Sequence, residues 1–159
     1  KPIISADTAG SAKYISEKKD KTESAIASSL AAEIYGLKII AKHIEDDSKN
    51  VTRFLVMGKE IQHPELENKK YITSCIFRVK SKPAALYKCL GGFATNNVNL
   101  CKLESFSAKN TFEQVNFFID IEGHIGDLKV QKSLEELGFH TESLDILGVY
   151  EADKFRFKK

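Results

Sequence analysis

The first half of the chain mixes helical and strand-like hydrophobic patterns. Small and apolar residues recur at helical spacing after Asp7 and again after Ser28, and both of these residues can cap a helix. The first helix should fray in a charged run, and the second should stop at Gly36. Three runs of small or β-branched residues predict strands, which gives the order of an α/β half-domain. These runs are residues 25–27, 38–44 and 51–57.

The second half has a more regular pattern. Apolar and polar residues alternate around Cys75 and Phe77, and Pro83 suits the first turn of a helix that Asn96-Asn97 can end. The order strand-helix-strand-strand-helix-strand predicts a four-stranded antiparallel sheet with both helices on one face. The later elements are predicted as strands 99–107 and 111–121, a helix from Asp127 to Gly138, and a last strand at 142–150.

A polar stretch separates the two halves. Residues 58–69 contain Pro64, three Glu and little apolar content, which is typical of a linker. The predicted organisation is a first domain, a linker, a second domain and a tail. Their bounds are 1–60, 61–70, 71–151 and 152–159.

Composition excludes several classes of function. The chain has 159 residues with a formal charge of +2, and its 24 basic and 22 acidic residues are interspersed, so no nucleic acid or other polyanionic partner is indicated. No apolar run reaches the roughly 18 residues of a membrane span, so no membrane partner is predicted. Three cysteines without a Cys-x-x-Cys pair and four histidines without ligand spacing predict neither a disulfide framework nor a metal site, which fits a reducing cytoplasm.

Polar side chains interrupt the predicted strand at 51–57. Asn50, Thr52 and Arg53 occupy positions that a buried strand would use for packing, and such positions indicate a site. The alternative is that Thr52 is an ordinary β-branched strand residue and Arg53 a surface charge. Strand alternation also separates them, because Thr52 and Phe54 would face one side and Arg53 the other.

These segments occur in the order that one enzyme family uses. Residues 23–37, the acidic turn after Ile44, and Asn50–Phe54 resemble the C-terminal part of the prephenate dehydratase catalytic domain, with a related run at 7–11. Residues 71–151 resemble the regulatory ACT domain of the same family. The resemblance implies α/β plus α+β architecture: a partial periplasmic-binding-protein-like α/β lobe followed by a ferredoxin-like βαββαβ domain. The segments of the family's first lobe have no counterpart, so we expect the C-terminal piece of a longer enzyme that is inactive alone.

The resemblance also implies a reaction and its residues. Prephenate dehydratases remove carbon dioxide and hydroxide from prephenate to form phenylpyruvate, and the resemblance implies no cofactor. The guanidinium of Arg53 suits a substrate carboxylate, and the Thr52 hydroxyl suits the departing oxygen as a hydrogen-bond donor. Asn50 and Phe54 belong to the same motif. Asp7 and Thr8 are candidate substrate-binding residues, although a helix cap explains them equally well.

The ACT resemblance implies an amino-acid effector. ACT domains of this kind bind an amino acid where the junction of the first helix and second strand meets a neighbouring subunit, which here implies L-phenylalanine and a homodimer or tetramer. The resemblance implies that main-chain groups near Asn99 and Leu100 hold the polar atoms of the amino acid. Ala84-Ala85-Leu86 stands in place of a Gly-Ala-Leu motif of this family. Phe106-Ser107 replaces the Arg-Pro of its Glu-Ser-Arg-Pro motif. A fragment that binds phenylalanine and dimerises without catalysis is the alternative function. The candidate effector residues are Ala84, Ala85, Leu86, Asn99, Leu100, Glu104 and Ser105.

Nucleic-acid binding is an alternative hypothesis for the second domain. The βαββαβ order also describes RNA-recognition motifs, in which aromatics such as Phe112 and Phe118 would stack on bases. Glu113 and Asp120 on the same strand oppose that function. We instead expect Phe118 and Ile72, on the nominally exposed sheet face, to suit subunit contact.

Overall fold

The chain forms two compact units, which are Lys1–Leu55 and Val56–Lys159. The computed structural model describes residues 1–47, 50–60, 63–80, 82–107 and 115–157. The boundary between the units precedes the predicted linker at 61–70. The assignment of the units to named domains stays a prediction.

Unit 1 contains the two predicted helices. Helix α1 spans Thr8–Lys18 and α2 spans Ser29–Ile34. The Ser28 hydroxyl accepts from the Ala31 amide at 3.2 Å, which satisfies one of the free N–H groups at the start of α2. Gly36 follows α2 with a φ of 63°, in the left-handed region that glycine adopts without strain. The predicted capping and ending of these helices is confirmed.

The three strands predicted in the first half do not form. Residues 25–27, 38–44 and 51–57 lie outside hydrogen-bonded strands in the described part of the chain. Their apolar side chains stay in solvent, with Ile40 83% exposed and Phe54 86% exposed. A strand is stable only when a neighbouring strand takes up its N–H and C=O groups, and no such pairing forms here. Apolar patterning alone therefore gave a wrong prediction.

Unit 2 contains the predicted order of elements. The sheet has the strand order β2-β3-β1-β4, and every neighbouring pair is antiparallel. A 3₁₀ turn at Lys154–Phe157 follows the last strand. The six elements are β1 (Tyr71–Val79), α3 (Ala85–Thr95), β2 (Leu100–Ser107), β3 (Val115–Glu122), α4 (Leu128–His140) and β4 (Thr141–Glu151).

One face of this sheet carries the core. Phe77 on β1 pairs with Phe117 on β3, and their rings stack with centroids 5.3 Å apart. Both helices contribute buried side chains to the same cluster, which confirms that they pack on one face. The cluster consists of Cys75, Phe77, Cys89, Phe93, Ile119, Ile121, Val130 and Leu137.

Several details differ from the predictions. Helix α4 passes through Gly138 and ends at His140, because the fully buried Leu137 keeps its last turn against the core. Ile72, predicted to lie on an exposed face, is only 1% exposed. The first residues of the predicted strand 111–121, including Phe112, lie outside the described residues. None of the helices in the described ranges is long and apolar enough to cross a bilayer.

Candidate functional site

The residues predicted to be catalytic form one exposed stretch of unit 1. Asn50, Thr52, Arg53 and Phe54 are all exposed, and the Asn50 amide donates to the Asp47 carbonyl at 3.0 Å. Because this stretch is not a strand, the predicted division of its side chains between two sheet faces does not occur. The catalytic roles of the four residues stay predictions.

Asp7 has a structural role at the start of α1. Its carboxylate accepts from the Gly10 amide at 2.5 Å, and its carbonyl accepts from the Ser11 hydroxyl at 2.7 Å. A Cβ on Gly10 would lie 2.7 Å from the Asp7 carboxylate, so glycine is needed for this contact. The carboxylate also places a negative charge where a substrate anion would meet the helix start. Substrate contact by Asp7 and Thr8 stays a prediction.

Unit 1 also has a large open cavity of about 1270 Å³. Its lining lies between Ala12 and Glu45, and it does not include the predicted catalytic residues. Ile15 from α1, Ala32 from α2 and Ile39 are among the lining residues. The sequence patterns predicted strands in this region and so did not indicate a cavity.

A smaller cavity adjoins the predicted effector motif in unit 2. Its volume is about 460 Å³, and Ala84, Ala85 and Leu86 line it. The structure thus places one cluster of predicted effector residues beside an open depression of the surface. Sequence reasoning did not identify the remaining lining residues, because each has an ordinary role in a turn or helix. They are Val79, Lys80, Lys82, Pro83 and Tyr87.

The backbone at Ala84 departs from ordinary geometry. Ala84 has φ 58° and ψ 22°, a left-handed conformation in which Cβ crowds the backbone. The family motif named above has Gly in place of this residue, and glycine adopts such angles without steric cost. The sharp turn from β1 into α3 therefore keeps its shape in this chain at the cost of local strain.

The predicted effector residues lie at two different ends of the sheet. Strands β1 and β2 are both antiparallel to β3 and so run in the same direction. Ser105 pairs with Phe117 near the end of β1, where Ala84 follows, whereas Leu100 pairs with Ile121 near its start. Five residues of extended chain separate Leu100 from Ser105 by roughly 15 Å. One amino acid cannot contact the main chain at both ends of a single copy.

The sheet face opposite the helices carries a buried polar group. Asp120 is fully buried, and its carboxylate accepts from the Ser74 hydroxyl at 2.5 Å. The Ser74 hydroxyl also lies 3.0 Å from the Tyr150 hydroxyl.

Burial, together with the Asp120 charge, raises the pKa of Cys75 to about 12. This thiol is therefore protonated and unreactive at neutral pH.

Charged side chains lie beside the buried Asp120. Lys102 forms an ion pair with Glu104 at 3.1 Å, and its ammonium lies 5.1 Å from the centre of the Phe118 ring. The side chain of the predicted effector residue Glu104 is thus engaged with Lys102. Within the described ranges, no group of three or more His, Cys, Asp or Glu residues could hold a metal ion.

Comparison with known proteins relates the chain to the prephenate dehydratases. Residues 1–62 match the family described as prephenate dehydratase. A bifunctional N-acyl-homoserine lactone acylase/prephenate dehydratase of Komagataeibacter europaeus is 40% identical over 99% of the chain and 56% of its own length. The prephenate dehydratase of Methanocaldococcus jannaschii is 40% identical over 90% of the chain and 52% of its length. The chain thus spans about half the length of these relatives.

Solved structures show the same relationship. A structure described as a novel type of quorum-quenching acylase matches with a TM-score of 0.79 at 36% identity, over 98% of this chain and 56% of that one. A prephenate dehydratase from Arthrobacter aurescens in complex with L-Phe matches with a TM-score of 0.51 at 28% identity, over 57% of this chain and 30% of that one. Residues 1–62 match the prephenate dehydratase family, and the chain as a whole is similar to the C-terminal part of its members.

Proposed function

We propose that this chain is the C-terminal part of an enzyme that converts prephenate to phenylpyruvate. The observation that carries the proposal is the family match over residues 1–62, because this range contains every residue predicted to be catalytic or substrate-binding. The range includes both the helix start at Asp7 and the exposed stretch at Asn50–Phe54.

The proposed chemistry requires binding and one hydrogen-bond donor. As the ring carboxylate leaves as carbon dioxide, its bonding electrons enter the ring, and the ring C–O bond breaks to release the hydroxyl group. Arg53 binds a carboxylate that the reaction retains or releases, and Thr52 donates to the departing oxygen, which leaves as water once protonated. Asn50 and Phe54 complete the motif, and Thr8 together with the helix start at Asp7 assists binding.

The 159-residue chain by itself should not turn over prephenate. Its candidate catalytic side chains are exposed, and an exposed site neither orients the substrate nor excludes water. The chain should act alone as an effector-binding module, which is the alternative function raised by the sequence. Turnover by this chain at the rate of a full-length enzyme would contradict the proposal.

Substitution of Thr52 in the full-length protein tests the catalytic role. Thr52→Ala should lower kcat by about 100-fold or more with little change in KM, because the hydroxyl acts mainly in the transition state. Thr52→Ser keeps a hydroxyl and is the matched control, so it should retain most of kcat. Formation of phenylpyruvate from prephenate is the measurement. If Thr52→Ala keeps most of its kcat, Thr52 does not donate to the leaving group.

The name of the relative from Komagataeibacter europaeus indicates a second substrate to assay. That protein is called an N-acyl-homoserine lactone acylase as well as a prephenate dehydratase, and it matches nearly all of this chain. Release of homoserine lactone from an N-acyl-homoserine lactone by the full-length protein, with Thr52→Ala alongside, would show whether hydrolysis occurs and whether it uses the same residue. Prephenate dehydration is the function that we propose.

For unit 2, the proposal is an ACT domain that binds L-phenylalanine between two copies. Two observations support it: the cavity beside Ala84–Leu86, and the separation of this motif from Asn99 and Leu100 along the sheet. Two copies in opposite orientation can bring the Ala84 end of one to the Asn99 end of the other. The relative from Arthrobacter aurescens, which was solved with L-Phe, supports the choice of ligand.

Calorimetry and sedimentation of this chain test the effector site. L-phenylalanine at millimolar concentration should release or absorb heat and should favour the dimer or a tetramer, because a ligand shared between copies stabilises their association. D-phenylalanine is the matched control, since its ammonium and carboxylate cannot meet the same main-chain groups with the side chain in the same place. Absence of both heat and a change in sedimentation would contradict the proposal.

A further inference from the structure

The turn between β3 and α4 contacts the segment that precedes β1. His124 in this turn is only 5% exposed. Its Nδ1 accepts from the Gly126 amide at 2.9 Å, so the ring proton is on Nε2, which lies 2.8 Å from the Pro64 carbonyl. His124 therefore donates to the backbone of the preceding segment.

Tyr71, the first residue of β1, binds the same segment. Its hydroxyl donates to the Glu65 carbonyl at 3.1 Å and accepts from the Glu67 amide at 3.2 Å. The rings of Tyr71 and His124 meet edge to face with centroids 4.8 Å apart. Three backbone groups of residues 64–67 are thus bonded to two adjoining aromatic side chains, which we call the clasp.

The same turn also contacts the predicted effector junction. The Glu122 amide donates to the Asn99 carbonyl at 2.9 Å, and the next amide, that of Gly123, donates to the Tyr71 carbonyl at 2.9 Å. The Gly123 carbonyl accepts from the Thr73 hydroxyl at 2.8 Å. Successive residues of one turn therefore bond to the effector junction, to β1 and to the segment at 64–67.

The backbone of Gly123 packs closely against Val130 of α4. Its φ is 143°, which L side chains rarely adopt. A Cβ there would lie 2.6 Å from Cγ2 of Val130, which is itself buried in the core. The hydrogen bonds of the Gly123 amide and carbonyl to Tyr71 and Thr73 hold the turn between Glu122 and His124, so a displacement of the Glu122 amide reaches His124 through bonded groups.

We propose that the turn Glu122–His124 relays the binding of an amino acid at Asn99 to the clasp on residues 64–67. The inference rests on the proposed effector site. A ligand that binds the main chain at Asn99 and Leu100 changes the geometry of a carbonyl to which Glu122 donates, and His124 lies two residues further on. Residues 64–67 connect β1 to the preceding chain, so the relay couples effector binding to the segment through which unit 2 follows unit 1 in sequence. The coupling is reciprocal, so the factor by which the effector changes the stability of the clasp is also the factor by which the clasp changes the affinity for the effector.

The clasp itself is tested without ligand. Tyr71→Phe removes the acceptor of the Glu67 amide, so hydrogen exchange at that amide should accelerate by about fivefold or more, as expected for a bond worth about 1 kcal/mol. Tyr14→Phe removes a hydroxyl from an exposed tyrosine in α1 and should leave the Glu67 amide unchanged. Equal exchange in the Tyr71→Phe variant and the native chain would contradict the clasp and with it the relay.

The relay is tested with L-phenylalanine in the same chain. In the native chain, L-phenylalanine should change the hydrogen-exchange rate of the Glu67 amide by at least about twofold. His124→Asn keeps an acceptor near the Gly126 amide but cannot reach Pro64, so it should still give measurable heat on binding phenylalanine while losing the effect on Glu67. If phenylalanine still changes hydrogen exchange at the Glu67 amide in His124→Asn, the relay is wrong and the effector site stands. The same conclusion follows if phenylalanine binds the native chain with heat but leaves exchange at Glu67 unchanged. Absence of heat in the native chain overturns the effector site and therefore the relay as well.

Discussion

The two units differ in where their apolar side chains lie. In unit 2, Phe77 and Leu137 have no exposed surface, whereas in unit 1 the buried apolar residues among those described are Ala12 and Ala31. Large residues of unit 1 remain in water, among them Ile26 at 72% exposure. Unit 2 contains four strands that pair with one another, so its apolar pattern has local partners. Unit 1 has equally apolar runs without paired strands, which shows that hydrophobic pattern alone does not make a sheet.

Truncation of an aromatic side chain in each unit should show this contrast most strongly. Phe77→Ala opens a cavity in the core and removes the ring that stacks on Phe117. It should lower the free energy of unfolding of unit 2 by about 3–5 kcal/mol. Phe54→Ala removes an exposed ring and should change the free energy of unfolding by less than about 0.5 kcal/mol. Urea denaturation followed by circular dichroism is the measurement. Comparable losses would mean that unit 1 buries Phe54.

Two adjacent glycines in α3 test how closely unit 2 is packed. A Cβ on Gly92 would lie 2.7 Å from Cβ of Glu136 on α4, whereas a Cβ on Gly91 would meet nothing within 4 Å. Gly92→Ala should therefore destabilise unit 2 by about 1–3 kcal/mol. Gly91→Ala is the matched control and should stabilise α3 by up to about 1 kcal/mol. The sign of the two changes in the urea midpoint distinguishes close packing from helix propensity.

The buried thiol of Cys75 predicts how stability depends on pH. Its pKa is raised from 9.0 to about 12 in the folded chain, so the folded state keeps a proton that the unfolded state loses above pH 9. This contribution is fully present below pH 9 and is lost as the pH rises towards 12, with about 1 kcal/mol gone between pH 8 and pH 10. The slope of unfolding free energy against pH should be steeper in the native chain than in Cys75→Ala. Equal slopes would mean that Cys75 titrates normally.

The strained turn before α3 should give the smallest effect. Ala84→Gly relieves a left-handed alanine and should raise the free energy of unfolding by up to about 1 kcal/mol. Ala94→Gly, at an exposed position within α3, should lower it by a similar amount because glycine is a poor helix former. Thermal unfolding of both variants is the check. Destabilisation by Ala84→Gly would show that Ala84 is not strained.

The same contrast explains which parts of the fold were predictable. The caps at Asp7 and Ser28 and the alternation around Phe77 depend on residues close in sequence, and the structure confirms both. The strands predicted at 38–44 and 51–57 depended on partners that local pattern does not specify, and they do not form. The end of α4 was predicted wrongly at Gly138, because burial of Leu137 outweighs the low helix propensity of one glycine.

The candidate sites were predictable to a different degree. Motif resemblance picked out Ala84–Leu86, and the structure places a cavity beside them. The positive φ of Ala84 could have been inferred from the glycine that it replaces. The contacts of His124 with Pro64 could not, because sixty residues separate the two in sequence and no local pattern marks the pair. Exposure of Thr52 was likewise not predictable, since the segment was expected to be a strand.

The separation of Ala84 from Asn99 along the sheet has a genetic consequence. In a site shared by two copies, one variant altered at the Ala84 end and another altered at the Asn99 end would each lose every site as a homodimer. A mixed dimer of the two carries both lesions at one site and none at the other. Two inactive alleles would then complement each other when expressed together, because each mixed dimer keeps one of its two phenylalanine sites intact while both kinds of homodimer stay inactive.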